Sequence, residues 1–150
     1  ADTVTSEKRS EIMSRVRDRD TRPELVVRRG LHALGFRYRL HDRRLPGRPD
    51  LVFPKFRAVI LVNGCFWHGH DCHLFRIPGT RRDFWEQKID ANRQRDARNL
   101  RLLREAGWRA MIVWECALKG RMRLMESDVL ERISNWLLGE STSGEVRGRL

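Results

Sequence analysis

The sequence predicts a single α/β layer structure, with helices before, between and after the strands. Three observations carry that expectation. The runs "RAVILV" (57–62) and "WRAMIVW" (108–114) are apolar without alternation, as strands buried on both faces are. Between them, 82–106 reads as one long helix ended by Gly107. Outside them, apolar residues recur at helical spacing, first at Leu25, Val27, Leu31 and Leu34, then at Val129, Leu130, Ile133, Trp136 and Leu137. At 150 residues the chain is most simply one domain, long enough to bury a core without disulfide staples.

The elements follow in order. Ser6 precedes a charged run and suits a short helix over 6–17, on an N-terminal arm spanning 1–20. Thr21 can cap the next helix, Pro23 and Glu24 suit its first turn, and Gly35 ends it. "FRYRL" (36–40) alternates strictly and predicts a half-exposed strand. "PGRPDLVF" (46–53) is a turn feeding a strand, and only "PKF" separates it from 57–62, so the two runs form a hairpin. The main domain is expected over 21–138, leaving "GESTSGEVRGRL" (139–150) as a frayed, disordered tail.

Charge narrows the function classes. Lys and Arg number 31 against 20 Asp and Glu, a net +11, which suits a polyanion and most often nucleic acid. A merely solvated surface is the plainer alternative. No long apolar segment argues for a membrane, and "ADTVTSEKRSEIM" does not read as a signal peptide. Three cysteines cannot all pair within the chain, so reduced thiols in a cytoplasmic protein are expected, used for a metal or for packing.

"GCFWHGHDC" (64–72) raises the sharpest question, because it mixes metal donors with adjacent aromatics. Cys65, His70 and Cys72 supply three donors from one loop, and Cys116 follows a strand expected beside 57–62. Four such ligands with no open position describe structural zinc. Against this stands the reading of Cys116 as a small buried hydrophobe. His73 is a rival ligand, though adjacent Cys72 and His73 would make the site hard to close. Phe66 and Trp67 lie between presumed ligands and would be held outward to wedge into a duplex. Alternatively they cap the core beneath the loop.

Asp50 heads a strand behind the stiff "RP" pair and is expected to hold Mg²⁺. Phosphodiester hydrolysis also needs a base, and His68, just past the partner strand, is the best candidate. Glu24 is a second carboxylate for that centre, although a helix N-terminus favours an acid anyway. On the long helix, Trp85, Lys88, Asn92, Arg95 and Asn99 share one face suited to DNA bases, or else a solvated one.

At "PGRPD", "GCFWHGHDCHLF", "TRRDFWEQKIDANRQRD" and "GWRAMIVWECALKG" the sequence resembles the very short patch repair endonucleases, bacterial T:G mismatch nickases. That resemblance implies a restriction-endonuclease-like fold, a central mixed β-sheet flanked by helices, with a structural zinc site. It implies Mg²⁺ on Asp50 and the Val62 carbonyl, His68 as base, Glu24 as an active-site acid, and Zn²⁺ on Cys65, His70, Cys72 and Cys116. Phe66, Trp67 and Trp85 would enter DNA from the major groove and Met13 from the minor groove, with Lys88, Asn92 and Arg95 contacting DNA. The expected partners are T:G-mismatched double-stranded DNA, mismatch-repair factors and a repair polymerase, for a cytoplasmic, nucleoid-associated monomer. One departure stands out: nucleases of that fold carry Glu-x-Lys on the strand after Pro-Asp, and here it ends "LVNGCFWH". His68 would take over the lysine's task. Asn63, a neutral amide, cannot serve as a base. A zinc-stapled DNA-binding module without catalysis, or a general nuclease of the same fold, are the competing readings.

Overall fold

A computed structural model describes residues 20–149; the helix expected over 6–17, and Met13 with it, lie outside the described residues. Helix α1 spans Arg22–Ala33, capped by Thr21, whose Oγ1 accepts the Glu24 N–H. It stops where Gly35 turns left-handed at φ 98°, which lets the Phe36 N–H return 3.0 Å to the Leu31 carbonyl. The expected strand over 36–40 shrinks to β1, Arg39–Leu40. Phe36 and Tyr38 do face inward, packing on the core, and the Tyr38 hydroxyl donates 2.5 Å to the Arg28 carbonyl. Their alternation anchors the chain rather than extending a ladder.

Strands β2 (Leu51–Phe53) and β3 (Ala58–Asn63) form the expected hairpin, pairing Leu51 with Ile60 and Phe53 with Ala58 across a 3₁₀ turn at Pro54–Phe56. Helix α2 (Arg82–Glu105) then crosses back to β4 (Arg109–Trp114), which lies parallel to β3. After a 3₁₀ turn at Glu115–Ala117, helix α3 (Glu126–Leu138) follows. The sheet is mixed and ordered β1-β2-β3-β4-β5.

The final strand corrects an expectation. The tail expected over 139–150 is not frayed in its described residues, because β5 (Ser143–Val146) pairs parallel with β4. Val146 is buried, and Gly144 fits so closely that a Cβ would lie 2.8 Å from Met111 Cε. Arg109 fastens the connection by donating to the carbonyls of Trp136, Leu137 and Ser141. An edge of β4 in need of a partner recruits these residues despite their polar composition.

Three layers result. Val27 and Leu31 of α1 and Val129, Ile133 and Leu137 of α3 bury one face of the sheet against Ile60, Met111 and Val113. Leu103 of α2 covers the other face at Val52, Val59 and Ala110. Each fully buried Leu or Ile contributes about 1.5–3 kcal/mol of apolar burial, so both faces matter to stability. Because β3 and β4 run parallel, their C-terminal ends open side by side, at Asn63 and Trp114. Both clusters described next are built around those ends.

Candidate active site and metal centre

Cys65 lies two residues beyond β3, and Cys116 two beyond β4, so the parallel pairing delivers both thiols to one place. The intervening loop folds back on itself, with the His70 N–H donating 2.9 Å to the Cys65 carbonyl and the Cys72 N–H 2.9 Å to that of His70. The donor atoms of Cys65, His70, Cys72 and Cys116 all fall within 4.8 Å of one another. His73 and His68 are not in that cluster.

The spacing fits a tetrahedral ion. Metal–sulfur and metal–nitrogen bonds of about 2.3 and 2.0 Å at a tetrahedral angle separate N from S by about 3.5 Å. His70 Nδ1 lies 3.6 Å from the sulfurs of both Cys65 and Cys116. Burial pushes both of these thiols up from their ordinary pKa. Burial, with Arg147 nearby, holds the His70 imidazole down, in the neutral form a metal takes. A bound cation would draw the thiol protons off.

Second contacts brace the cluster. Trp114 stacks on His70 at 3.9 Å, the Cys65 N–H donates 3.1 Å to Glu115 Oε1, and the Gly148 N–H donates 3.3 Å to Cys116 Sγ. Arg147 bonds the Asp71 carboxylate at 2.9 Å and holds Asp71 below the usual carboxylate range. The segment after β5 therefore closes over the cluster.

A small cavity of about 120 Å³ opens beside it, lined by Asp50, Val62, Asn63, His68, Asp96 and Asn99 among others. Asp50 stands at the head of β2, and its Oδ2 accepts the Val62 N–H at 2.7 Å. Burial pushes its pKa up to about 8; the Val62 N–H opposes that, and the neighbouring Glu24 carboxyl adds to it. His68 Nδ1 sits 2.5 Å from Asp96 Oδ2. Asn63 is buried on the cavity wall.

Glu24 is fully buried but outside the cavity lining, held by Arg28 at 2.8 Å, the Asp20 N–H at 3.0 Å and His41 Nε2 at 3.0 Å. Sequence reasoning missed two residues here. Asp96 shares a helix face with Asn92 and Asn99, so the spacing that singled out those amides could have found it. His41 directly follows β1, whose Leu40 pairs with Leu51, so the strand register already set it opposite Asp50.

The aromatics cluster at the rim. Phe66 lies 5.2 Å from Trp67 and 5.6 Å from Trp85, ring to ring, and Trp67 lies 5.9 Å from Trp85. Phe66 and Trp67 are half-buried, whereas Trp85 is only 4% exposed. Trp85 was expected on an open reading face; instead it finds its stacking partners within the protein, including Phe84 at 5.1 Å. Lys88 and Arg95 are exposed, while the Asn92 amide donates 2.9 Å to the Trp67 carbonyl. Gly69, left-handed at φ 60°, completes the loop with its carbonyl accepting two bonds from Arg93.

Residues 1–74 match the model of the family described as DNA mismatch endonuclease Vsr. Across its length the chain is 44% identical to DNA mismatch endonuclease Vsr of Escherichia coli (strain K12), covering 97% of this chain and 94% of that protein. The chain belongs to the Vsr family. Type II nicking enzyme V.XorIIP of Xanthomonas oryzae pv. oryzae is 48% identical over 81% of this chain and 94% of its own. Type II nicking enzyme V.NmeAIP of Neisseria meningitidis is 42% identical over 80% and 86%. The Vsr family match includes Glu24, Asp50, His68 and three of the four candidate metal donors; the E. coli Vsr alignment extends over almost all of the remainder. Among the described residues no helix is long and apolar enough to cross a membrane.

Proposed function

We propose that this chain nicks one DNA strand 5′ of the thymine in a T:G mismatch, of the kind left by deamination of 5-methylcytosine, and so initiates very short patch repair. The observation that carries this reading is one cavity lined by both Asp50 and His68, with Asp96 bonded to the histidine. Membership of a family of mismatch endonucleases supplies the substrate class. The mixed sheet with helices on both faces supports a restriction-endonuclease-like fold, with Asp50 at the strand position such nucleases use for metal.

Asp50 and the Val62 carbonyl are the proposed Mg²⁺ ligands. When bound, that ion would polarise the scissile phosphate and favour hydroxide over water. The chain's own residues do the rest. Asp96 holds the proton of His68 on Nδ1, which keeps the Nε2 lone pair aimed at a proton on the attacking water. Glu24 completes the acidic side of the centre. Asn63 contributes a neutral wall and no proton transfer. Cys65, His70, Cys72 and Cys116 would hold Zn²⁺, which would keep the loop rigid, so that Phe66 and Trp67, backed by Trp85, could part the bases at the mismatch. Lys88, Asn92 and Arg95 are assigned to DNA contacts beside them, and Met13 to the opposite groove. Mismatch-repair factors and a repair polymerase are the proposed downstream partners of a cytoplasmic, monomeric enzyme.

The deciding experiment incubates Asp50→Ala and the unaltered protein with a T:G duplex and Mg²⁺. Nicking should vanish in the variant while zinc content and folding persist. Full activity without Asp50 would remove the proposed centre. A protein that binds the T:G duplex and never cuts it would be a DNA-binding module, and one that cuts paired DNA equally a general nuclease.

A further inference from the structure

His41 has no part in the reading above, yet it touches both carboxylates of the centre. Its Nε2 stands 3.0 Å from each oxygen of Glu24 and 3.9 Å from Asp50 Oδ1. Its backbone N–H donates 3.0 Å to the Asp50 carbonyl. The residue holds a left-handed backbone at φ 48°, a conformation uncommon outside glycine and one that persists where surrounding contacts impose it. The imidazole is 12% exposed and Glu24 about 1%. One residue is thus fixed to Asp50 through its main chain and to Glu24 through its side chain.

Asp20, Glu24 and His41 offer donor atoms within 4.8 Å and could be taken for a second cation site. Arg28 argues otherwise. Its Nη1 is 2.8 Å from both Asp20 Oδ1 and Glu24 Oε2, so a guanidinium already neutralises those acids. The same holds for geometry: a ring N–H shared by both oxygens of one carboxylate is a clamp, and the neutral Nε2–H tautomer suffices for it.

We infer that His41 is a positioning residue for the catalytic metal, clamping Glu24 and Asp50 at a fixed separation so that the Asp50 carboxylate is preorganised for a divalent cation. The inference rests on the reading of Asp50 as a metal ligand. Hydrogen-bonding partners of ligating carboxylates are worth roughly 10–100-fold in metal affinity.

The test compares His41→Ala, His41→Gln and Asp50→Asn with the unaltered protein, each purified with its zinc in place. Two quantities are measured: Mn²⁺ binding, from the free-ion electron spin resonance signal, and the Mg²⁺ concentration giving half-maximal nicking of a T:G duplex. His41→Ala should weaken Mn²⁺ binding and raise the Mg²⁺ requirement about tenfold, with duplex affinity in the absence of added divalent ion unchanged within about twofold. His41→Gln, whose amide N–H can still reach Glu24, should recover most of the loss, and it also serves if the alanine variant folds poorly. Unchanged Mn²⁺ and Mg²⁺ requirements in both variants, beside a Mg²⁺-dependent parent and an inactive Asp50→Asn, would overturn the role of His41 and leave the centre standing. Loss of duplex affinity in step with metal affinity would mark a merely structural residue and overturn it too. Undiminished Mn²⁺ binding and nicking by Asp50→Asn would instead bring down the metal reading and this inference with it.

Discussion

Asp50 is an acid buried where its charge is disfavoured, and that tension has a measurable consequence. Its ordinary value is 3.8, and burial raises it to about 8 in the metal-free protein. Between those values the folded chain keeps a proton that the unfolded chain has lost. That contribution to stability is complete below about pH 4 and is lost as pH rises through about 8. Zinc-loaded protein without Mg²⁺ should therefore melt at progressively lower temperature towards pH 8, relative to Asp50→Asn, and adding Mg²⁺ should reverse that loss. Superimposable pH profiles for the two proteins would show that Asp50 is not strained in this way. At this scale the sequence was a partial guide. Asp50, His68 and the four candidate metal donors stand out because residue types that bind metals or move protons recur at short spacing or at the ends of predicted strands. Asp96 and His41 do not, because a single acid on a polar helix or a histidine after a short strand is common on solvated surfaces; only the register and the turn show what they touch.

Strand β3 links the two centres. Val62 donates to Asp50, Asn63 walls the cavity, and two residues later Cys65 joins the cluster that could hold a metal. Losing one metal donor should thus loosen both ends. Cys116→Ser is expected to hold less than one zinc per chain and to melt more than about 5 °C lower, measured by elemental analysis and thermal denaturation. Full zinc content with an unchanged midpoint would exclude Cys116 from the ligand set. Apolar periodicity served well for α1 and α3, and unbroken apolar runs for β3 and β4, because their burial is written into neighbouring side chains. It failed for "STSGEV" (141–146), where the reward for pairing comes from the β4 edge and only Val146 is apolar and buried. It also misplaced Trp85: a lone aromatic on a polar helix stripe looks unpartnered until Phe66 and Trp67 fold across it from a distant loop.

The whole molecule carries a net charge of +11, and exposed Lys88 and Arg95 lie on the helix beside the aromatic rim. Binding to a T:G duplex should be governed by released counterions, so that affinity falls about 10³–10⁵-fold between 50 and 200 mM salt if six to ten phosphates are contacted. A flat response in a filter-binding or anisotropy titration would rule out an electrostatic interface. The resting arrangement of Phe66, Trp67 and Trp85 then sets a threshold. These rings already shelter one another from water, so on the proposed function entering a duplex would exchange edge-on and tilted contacts within the protein for stacking on bases rather than gain stacking outright. Where the bases are well matched and tightly stacked, the exchange would run uphill. At an ill-fitting pair it would approach balance, and discrimination would begin before any base edge is read.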